Sequence, residues 1–383
     1  LEEDEEVALK ILGKILKAIK ALVTRRVEID LDRIVYVYED VPLRKLINWI
    51  LVEASIYFKP ERPWGYPTHL QIEPADVCNL SCSGCPAAGG SGRRGSGRMD
   101  FAIFKKLIDE VGDYVFLILL WDWGEPFLNN SIYEMIAYAR KKGIKVASST
   151  NGNVITTPEL ADKLVRSGLD SIIIALDGMT IETYGRYRKG GDIERVKRCV
   201  RLIVERKRAL NSAVPLINLR NVVMRHNEHE APFLKELASE LGADALTLKT
   251  MNPYCGGKTA DNEEFIPKNP RYRRFEYTQS GERVRVKKNP CKHLWNNPAV
   301  HADGSVCVCT FDASAKHAVG DLNAESFKDI WRGERMRGFR RAFAADWENI
   351  DICKECSYAY RGGNCSIETI AEAVFFEQKS TSI

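Results

Sequence analysis

No segment of this 383-residue chain strings together the roughly 18 apolar residues that a membrane-crossing helix requires, and no secretory-leader pattern opens it. An excess of one charge is also missing. Lysine and arginine number 56 against 52 aspartates and glutamates, a formal net charge of +4, which is too modest to argue for a nucleic-acid partner. The glycine-rich stretch 87–98 lacks the lysine and flanking order of a phosphate loop. It reads either as a flexible cover, with Arg93, Arg94 and Arg98 ready to grip an anionic substrate, or as a solvated basic loop. Cysteine, by contrast, is plentiful at 11 residues. Without an export signal, that count implies a reducing cytoplasm and metal ligation in place of disulfides.

Three of these cysteines fall within eight residues, in the run Cys78-Asn-Leu-Ser-Cys82-Ser-Gly-Cys85. Three thiolates so close can hold three corners of an iron-sulfur cube and leave the fourth iron open to a small molecule. A zinc knot is the plainer alternative, although zinc sites usually pair CxxC or Cys/His elements and no fourth ligand lies nearby. The spacing CxxxCxxC after the apolar run His69–Pro74 resembles the signature of radical S-adenosylmethionine (SAM) enzymes. The resemblance implies a 4Fe-4S cluster whose open iron binds SAM. It further implies reductive cleavage of SAM to a 5'-deoxyadenosyl radical that removes a hydrogen atom from the substrate, with ferredoxin or flavodoxin as the reducing partner. Gly84 departs from the pattern, because family members often carry an aromatic residue there.

From Pro67 to about Thr250, β-prone runs alternate with amphipathic stretches, as parallel strands and helical crossovers do. Strands are expected at 69–74, 115–121, 145–151, 171–178, 215–223 and 245–250, with helices near 100–111, 130–142, 158–167, 192–210 and 229–241. Six units are too few to close an eight-stranded barrel. The expected fold is therefore α/β, a partial (β/α)6 barrel, which is also the fold the resemblance implies.

Catalytic groups in parallel barrels gather at the carboxyl ends of strands. Trp123-Gly124-Glu125-Pro126 follows the second strand and resembles the family's GGE element, with tryptophan in place of the first glycine. The resemblance implies that this element receives the amino group of SAM, with Glu125 as its carboxylate. The alternative is an acid at a helix N-terminus. Thr150 and Asn151 end the third strand and Asp177 the fourth, where the resemblance implies polar contacts to the ribose and methionyl groups. Both ends are also ordinary turn sequences. Arg188, in a segment similar to one in the SPASM branch, would reach the SAM carboxylate; a solvated basic loop is the competing reading.

Beyond 250 the alternation stops. A linker is expected over 251–290, followed by a cysteine-rich domain over 291–383. The run Pro298–Cys309 contains two β-prone stretches around Asp303-Gly304, a hairpin signal, and Cys353-Lys-Glu-Cys356 is a compact chelating bite. Cys291, the hairpin, Cys309 and the later pair resemble the SPASM/twitch extension, which implies that Cys291, Cys309, Cys353 and Cys356 hold an auxiliary 4Fe-4S cluster. A four-cysteine zinc ribbon remains the alternative. Cys199, Cys255, Cys307 and Cys365 are left over, so a single auxiliary cluster is expected, with Cys307 or Cys365 as the alternative member of the set. Cys307 and Cys309 should face one side of a strand, and Cys199 reads as core.

Residues 1–66 are expected to form a helical extension, with one amphipathic helix over 7–26 and another over 43–58. Lys10, Lys14 and Lys17 lie opposite Ile11, Ile15, Leu16, Ile19, Leu22 and Val23. This pattern suits either a hairpin packed on the barrel or a peripheral contact with a membrane surface. Three functions remain: an oxidative radical enzyme aided by the auxiliary cluster; a redox-neutral one, such as an epimerase or a carbon-carbon bond-forming enzyme, acting on a lipid in one version; and a non-enzymatic iron-sulfur or zinc scaffold. The substrate class, whether peptide, sugar or alcohol, or lipid, is not written in these residues.

Overall fold

The computed structural model describes residues 2–88, 97–253, 264–363 and 370–376. The chain opens with α1 (Glu2–Thr24), a hairpin of β1 (Val27–Leu31) and β2 (Ile34–Tyr38), and α2 (Leu43–Phe58). The six expected parallel strands follow: β3 (His69–Ile72), β4 (Leu117–Leu119), β5 (Lys145–Thr150), β6 (Ser171–Ala175), β7 (Leu216–Val223) and β8 (Ala245–Thr250). Each crossover carries helix, namely α3 (Phe101–Val111), α4 (Ile132–Lys141), α5 (Pro158–Arg166), α6 (Ile181–Tyr187) with α7 (Ile193–Ala209), and α8 (Leu234–Glu240). Their starts are written locally. Asp100, Thr157 and Asp192 cap α3, α5 and α7 by accepting from backbone N–H groups, and Pro158 sits in the first turn of α5, where its missing donor costs nothing.

The six strands pair in chain order, all parallel. The sheet then extends at both edges. Beside β3 lie β9 (Ala299–Val300), β10 (Ser305–Cys307) and β11 (Ala318–Asp321), and beside β8 lies β12 (Ile370–Phe375), giving ten strands. The hairpin expected at Asp303-Gly304 is present, with Gly304 at φ 89°. It joins the barrel because β9 runs parallel to β3, Gln71 opposite Ala299 and Ile72 opposite Val300.

Alternate strand residues face opposite layers. Ile118, Val146, Ile172, Ile174 and Leu219 pack outward with the helices, while Leu117, Leu119, Ala147, Leu216 and Ala245 pack with the N-terminal hairpin and α2. The extension is therefore not purely helical, as the sequence reading had it. Its hairpin plugs the barrel at the amino ends of the strands. The Tyr36 hydroxyl meets Ser171 Oγ at 2.5 Å, Tyr38 donates to the Phe116 carbonyl at 2.8 Å, and Asp32 at the hairpin tip ion-pairs with buried Arg220 of β7. The opposite, carboxyl ends are left for chemistry.

Candidate active site

At those ends a cavity of about 300 Å³ is lined by all three cysteines of the CxxxCxxC run, together with Trp123, Gly124, Glu125, Thr150, Asn151 and Arg188. Backbone bonds hold the cysteine loop over it: Glu125 N donates to Val77 O (2.9 Å), Ser81 N to Lys189 O (2.9 Å) and Ser83 N to Tyr187 O (3.2 Å). Two glycines make this possible. A Cβ on Gly124 would stand 1.9 Å from the Ala75 carbonyl, so only glycine lets the end of β4 approach the loop. Gly84 takes φ 71°, a left-handed turn that an aromatic residue would strain.

Glu125 is buried and sits in a polar network. Its carboxylate accepts from Thr150 Oγ1 (2.9 Å), Asn151 N (2.8 Å) and Phe127 N (3.2 Å). Burial nevertheless pushes its carboxyl up to about 7. The helix-cap alternative is realised as well, because Glu125 caps the short 3-10 turn Pro126–Leu128. Asn151 donates through Nδ2 to Asn79 Oδ1 (2.9 Å) and lies 3.8 Å from Cys78 Sγ, tying β5 to the cysteine loop.

Arg188 is no solvated loop residue. It is gripped by fully buried Asp177 (Nε to Oδ2 2.6 Å) and places Nη1 3.7 Å from Cys82 Sγ. Asp177 itself does not line the cavity. Its carboxylate accepts from Arg188 and from Val222 N at 2.7 Å. Asp177 aims the guanidinium.

The lining also includes Trp121, Asp122, Lys249, Thr250, Arg274 and Thr310, none of which the sequence had pointed to as site residues. The strand-end rule would have found the first four, since they directly follow or end β4 and β8. Arg274 comes from an aperiodic segment and had no such signal.

The second thiol group lies beside this wall. Burial raises the Cys309 thiol, and the neighbouring Cys356, Cys353 and Cys291 sulfurs raise it further. Strand β10 ends at Cys307, so the period-two expectation fails. Cys307 is buried with Sγ 3.8 Å from His301 Nδ1, while Cys309 is the one that feels the charges of the other three cysteines. Cys199 is fully buried in α7, as expected, and Cys255, Cys365, Arg93 and Arg94 lie outside the described residues. The two thiol groups are clasped together. Trp123 Nε1 donates to Thr310 O at 2.7 Å, Asp122 bonds the Thr310 hydroxyl, and the Trp123 carbonyl faces Cys85 Sγ at 3.8 Å.

The donor sets, three thiols around an open cavity and four together, fit iron-sulfur cubanes. Among the described residues, no three His, Cys, Asp or Glu side chains form a group able to hold a single metal ion. A cubane instead presents a separate iron to each thiolate.

The profile of the Radical SAM superfamily matches residues 72–230, and that of an iron-sulfur cluster-binding domain, SPASM, matches residues 291–357. The chain is similar to the tungsten-containing aldehyde ferredoxin oxidoreductase cofactor-modifying protein of Pyrococcus furiosus, with 25% identity over 324 residues, 76% of this chain and 87% of that protein. It is similar to mycofactocin maturase MftC of Mycolicibacterium smegmatis, with 26% identity over 328 residues and 79% of each chain covered. Against an AdoMet-dependent heme synthase of Methanosarcina barkeri it is 30% identical over 185 residues, 48% of this chain and 50% of that one. In structure it is similar to Streptococcus suis SuiB bound to precursor peptide SuiA, with a TM-score of 0.57 at 14% identity, covering 84% and 80% of the two chains. That last likeness concerns the fold alone.

Proposed function

For a chain that belongs to the radical SAM superfamily and carries a SPASM domain, we propose an oxidative radical reaction on a substrate held between the two thiol groups. When bound, the SAM-ligated 4Fe-4S cluster supplies a 5'-deoxyadenosyl radical that removes a substrate hydrogen atom. Cys78, Cys82 and Cys85 hold that cluster. Glu125 receives the SAM amino group with Gly124 and Trp123 backbone beside it, Thr150 and Asn151 orient the cofactor, and Arg188, aimed by Asp177, takes the carboxylate. Cys291, Cys309, Cys353 and Cys356 hold the auxiliary 4Fe-4S cluster that assists electron transfer or substrate organisation. Electrons come from a ferredoxin or flavodoxin in the cytoplasm.

The observation that carries this reading is the shared cavity, which brings the three cysteines, Glu125 and Arg188 to one place.

The test is anaerobic reconstitution followed by iron analysis and dithionite reduction with SAM. About eight irons per chain are expected, the sum of two cubanes, with release of 5'-deoxyadenosine. Four irons with stoichiometric zinc would overturn the auxiliary cluster, and absence of 5'-deoxyadenosine would overturn the radical reading.

A further inference from the structure

Helix α1 docks by the wrong side for a soluble amphipathic helix. Its contacts with the body run through small and cationic residues: Ala21 is buried, Lys14 Nζ lies 3.7 Å from Glu53 and over the Tyr57 ring, and Lys17 Nζ lies over the Trp49 ring at 5.7 Å. At 100° per residue, Leu12, Ile15, Leu16, Ile19, Leu22 and Val23 collect on the opposite face. These six side chains are between 38 and 77% exposed. The packed-hairpin alternative required Ile15 and Ile19 to be buried, and they are 50 and 52% exposed.

Exposed residues elsewhere in the N-terminal segment point to its occupant. Beyond the end of α2, Tyr57, Phe58 and Trp64 are exposed, and the Phe58 and Trp64 rings touch at 5.6 Å between centroids. Lys20 and Arg62 are exposed and make no ion pair among the described residues. Aliphatic side chains on an outward helix face, with exposed aromatic rings and unpaired cations on the same N-terminal segment, are the composition of a helix lying in a lipid interface. No helix of the described residues is long and apolar enough to cross a bilayer, so the helix would lie on the surface. We propose that α1, from Leu12 to Val23, seats its apolar face in the interface of an anionic bilayer, with Lys20 and Arg62 at headgroup level. This inference stands apart from the radical reaction.

The test is co-sedimentation of the full reconstituted chain with phosphatidylglycerol vesicles, using phosphatidylcholine vesicles as the comparison. Pelleting with the anionic vesicles is expected, with salt weakening it as exposed charges are screened. Ile15→Glu with Ile19→Glu should abolish pelleting while iron content and unfolding midpoint stay unchanged. Lys20→Glu with Arg62→Glu, which disturbs no core, should weaken vesicle affinity by about tenfold or more. Failure of the wild type to pellet with either vesicle overturns the proposal. So does a wild-type dimer dispersed by the isoleucine substitutions, which would assign the face to a second copy.

Discussion

Glu125 binds a proton more readily than a surface glutamate does, and this has consequences for SAM. Burial pushes its carboxyl up to about 7 despite the donors around it and the nearby Arg188 guanidinium. If Glu125 receives the SAM amino group as proposed, it does so as the carboxylate, so below about 7 SAM binding must expel a proton. SAM affinity is expected to rise with pH to about 7 and then level off. Glu125→Gln should flatten that slope and weaken binding by roughly ten- to a hundredfold, the worth of a charge-assisted hydrogen bond. Calorimetry in buffers of different ionisation heat reads the released proton. The same shift acts on folding. Because the folded value exceeds the ordinary 4.5, the native chain holds more protons between about 4.5 and 7, so this group's contribution to stability falls as pH rises through that window.

The cysteine pair at the end of β10 gives a second prediction at this scale. Cys309→Ser should remove about four irons, while Cys307→Ser should keep about eight, as read by iron analysis and cluster absorbance. The reverse result would exchange the two assignments. Most of the site was legible at residue resolution because spacing and strand ends carry it: the three clustered cysteines, Glu125, Asn151 and Arg188 all line one cavity. Asp177 stands just past its strand end but outside the cavity lining, because a strand-end position does not reveal which neighbour will claim the carboxylate. Cys309 defeated the alternation argument because the strand stopped two residues earlier.

Among the elements, the N-terminal hairpin was the one the sequence hid. Val27–Tyr38 alternates well enough, but its turn is Asp32-Arg33, both at positive φ (55° and 64°), where Asn-Gly or Asp-Gly would have announced it. That strained turn has a structural reason. It delivers Asp32 to Arg220 inside the barrel, where both side chains are over 90% buried and Arg220 also donates to Thr247. Removing one partner of such a pair leaves a buried charge uncompensated, at a cost of about 3–5 kcal/mol. Asp32→Ala should show that loss in urea unfolding. Asp32→Ala with Arg220→Met should recover much of it, because two apolar residues leave no orphaned charge. If the single variant unfolds like the wild type, the hairpin is an appendage and not a plug.

For the whole molecule, the decisive property is one continuous sheet. The cysteine hairpin adds three strands to the β3 edge, and β12 covers the β8 edge. The clasp from Trp123 and Asp122 to Thr310 then fixes the auxiliary thiols against the cavity wall. The sequence showed two cysteine groups but gave no sign that one sheet joins them, because a two-residue strand such as β9 leaves no periodic trace. A chain ending before residue 291 would expose both barrel edges, and unpaired parallel strands rich in leucine and isoleucine are templates for aggregation. Such a truncation is expected to be insoluble. Replacing Cys291, Cys309, Cys353 and Cys356 together by alanine keeps every strand and should give a soluble protein with about four irons. That protein should still release 5'-deoxyadenosine from SAM, since the first thiol group and its SAM contacts are untouched. A soluble, SAM-cleaving truncation would show instead that the auxiliary segment is an independent module, and the edge strands would lose the structural role assigned to them here.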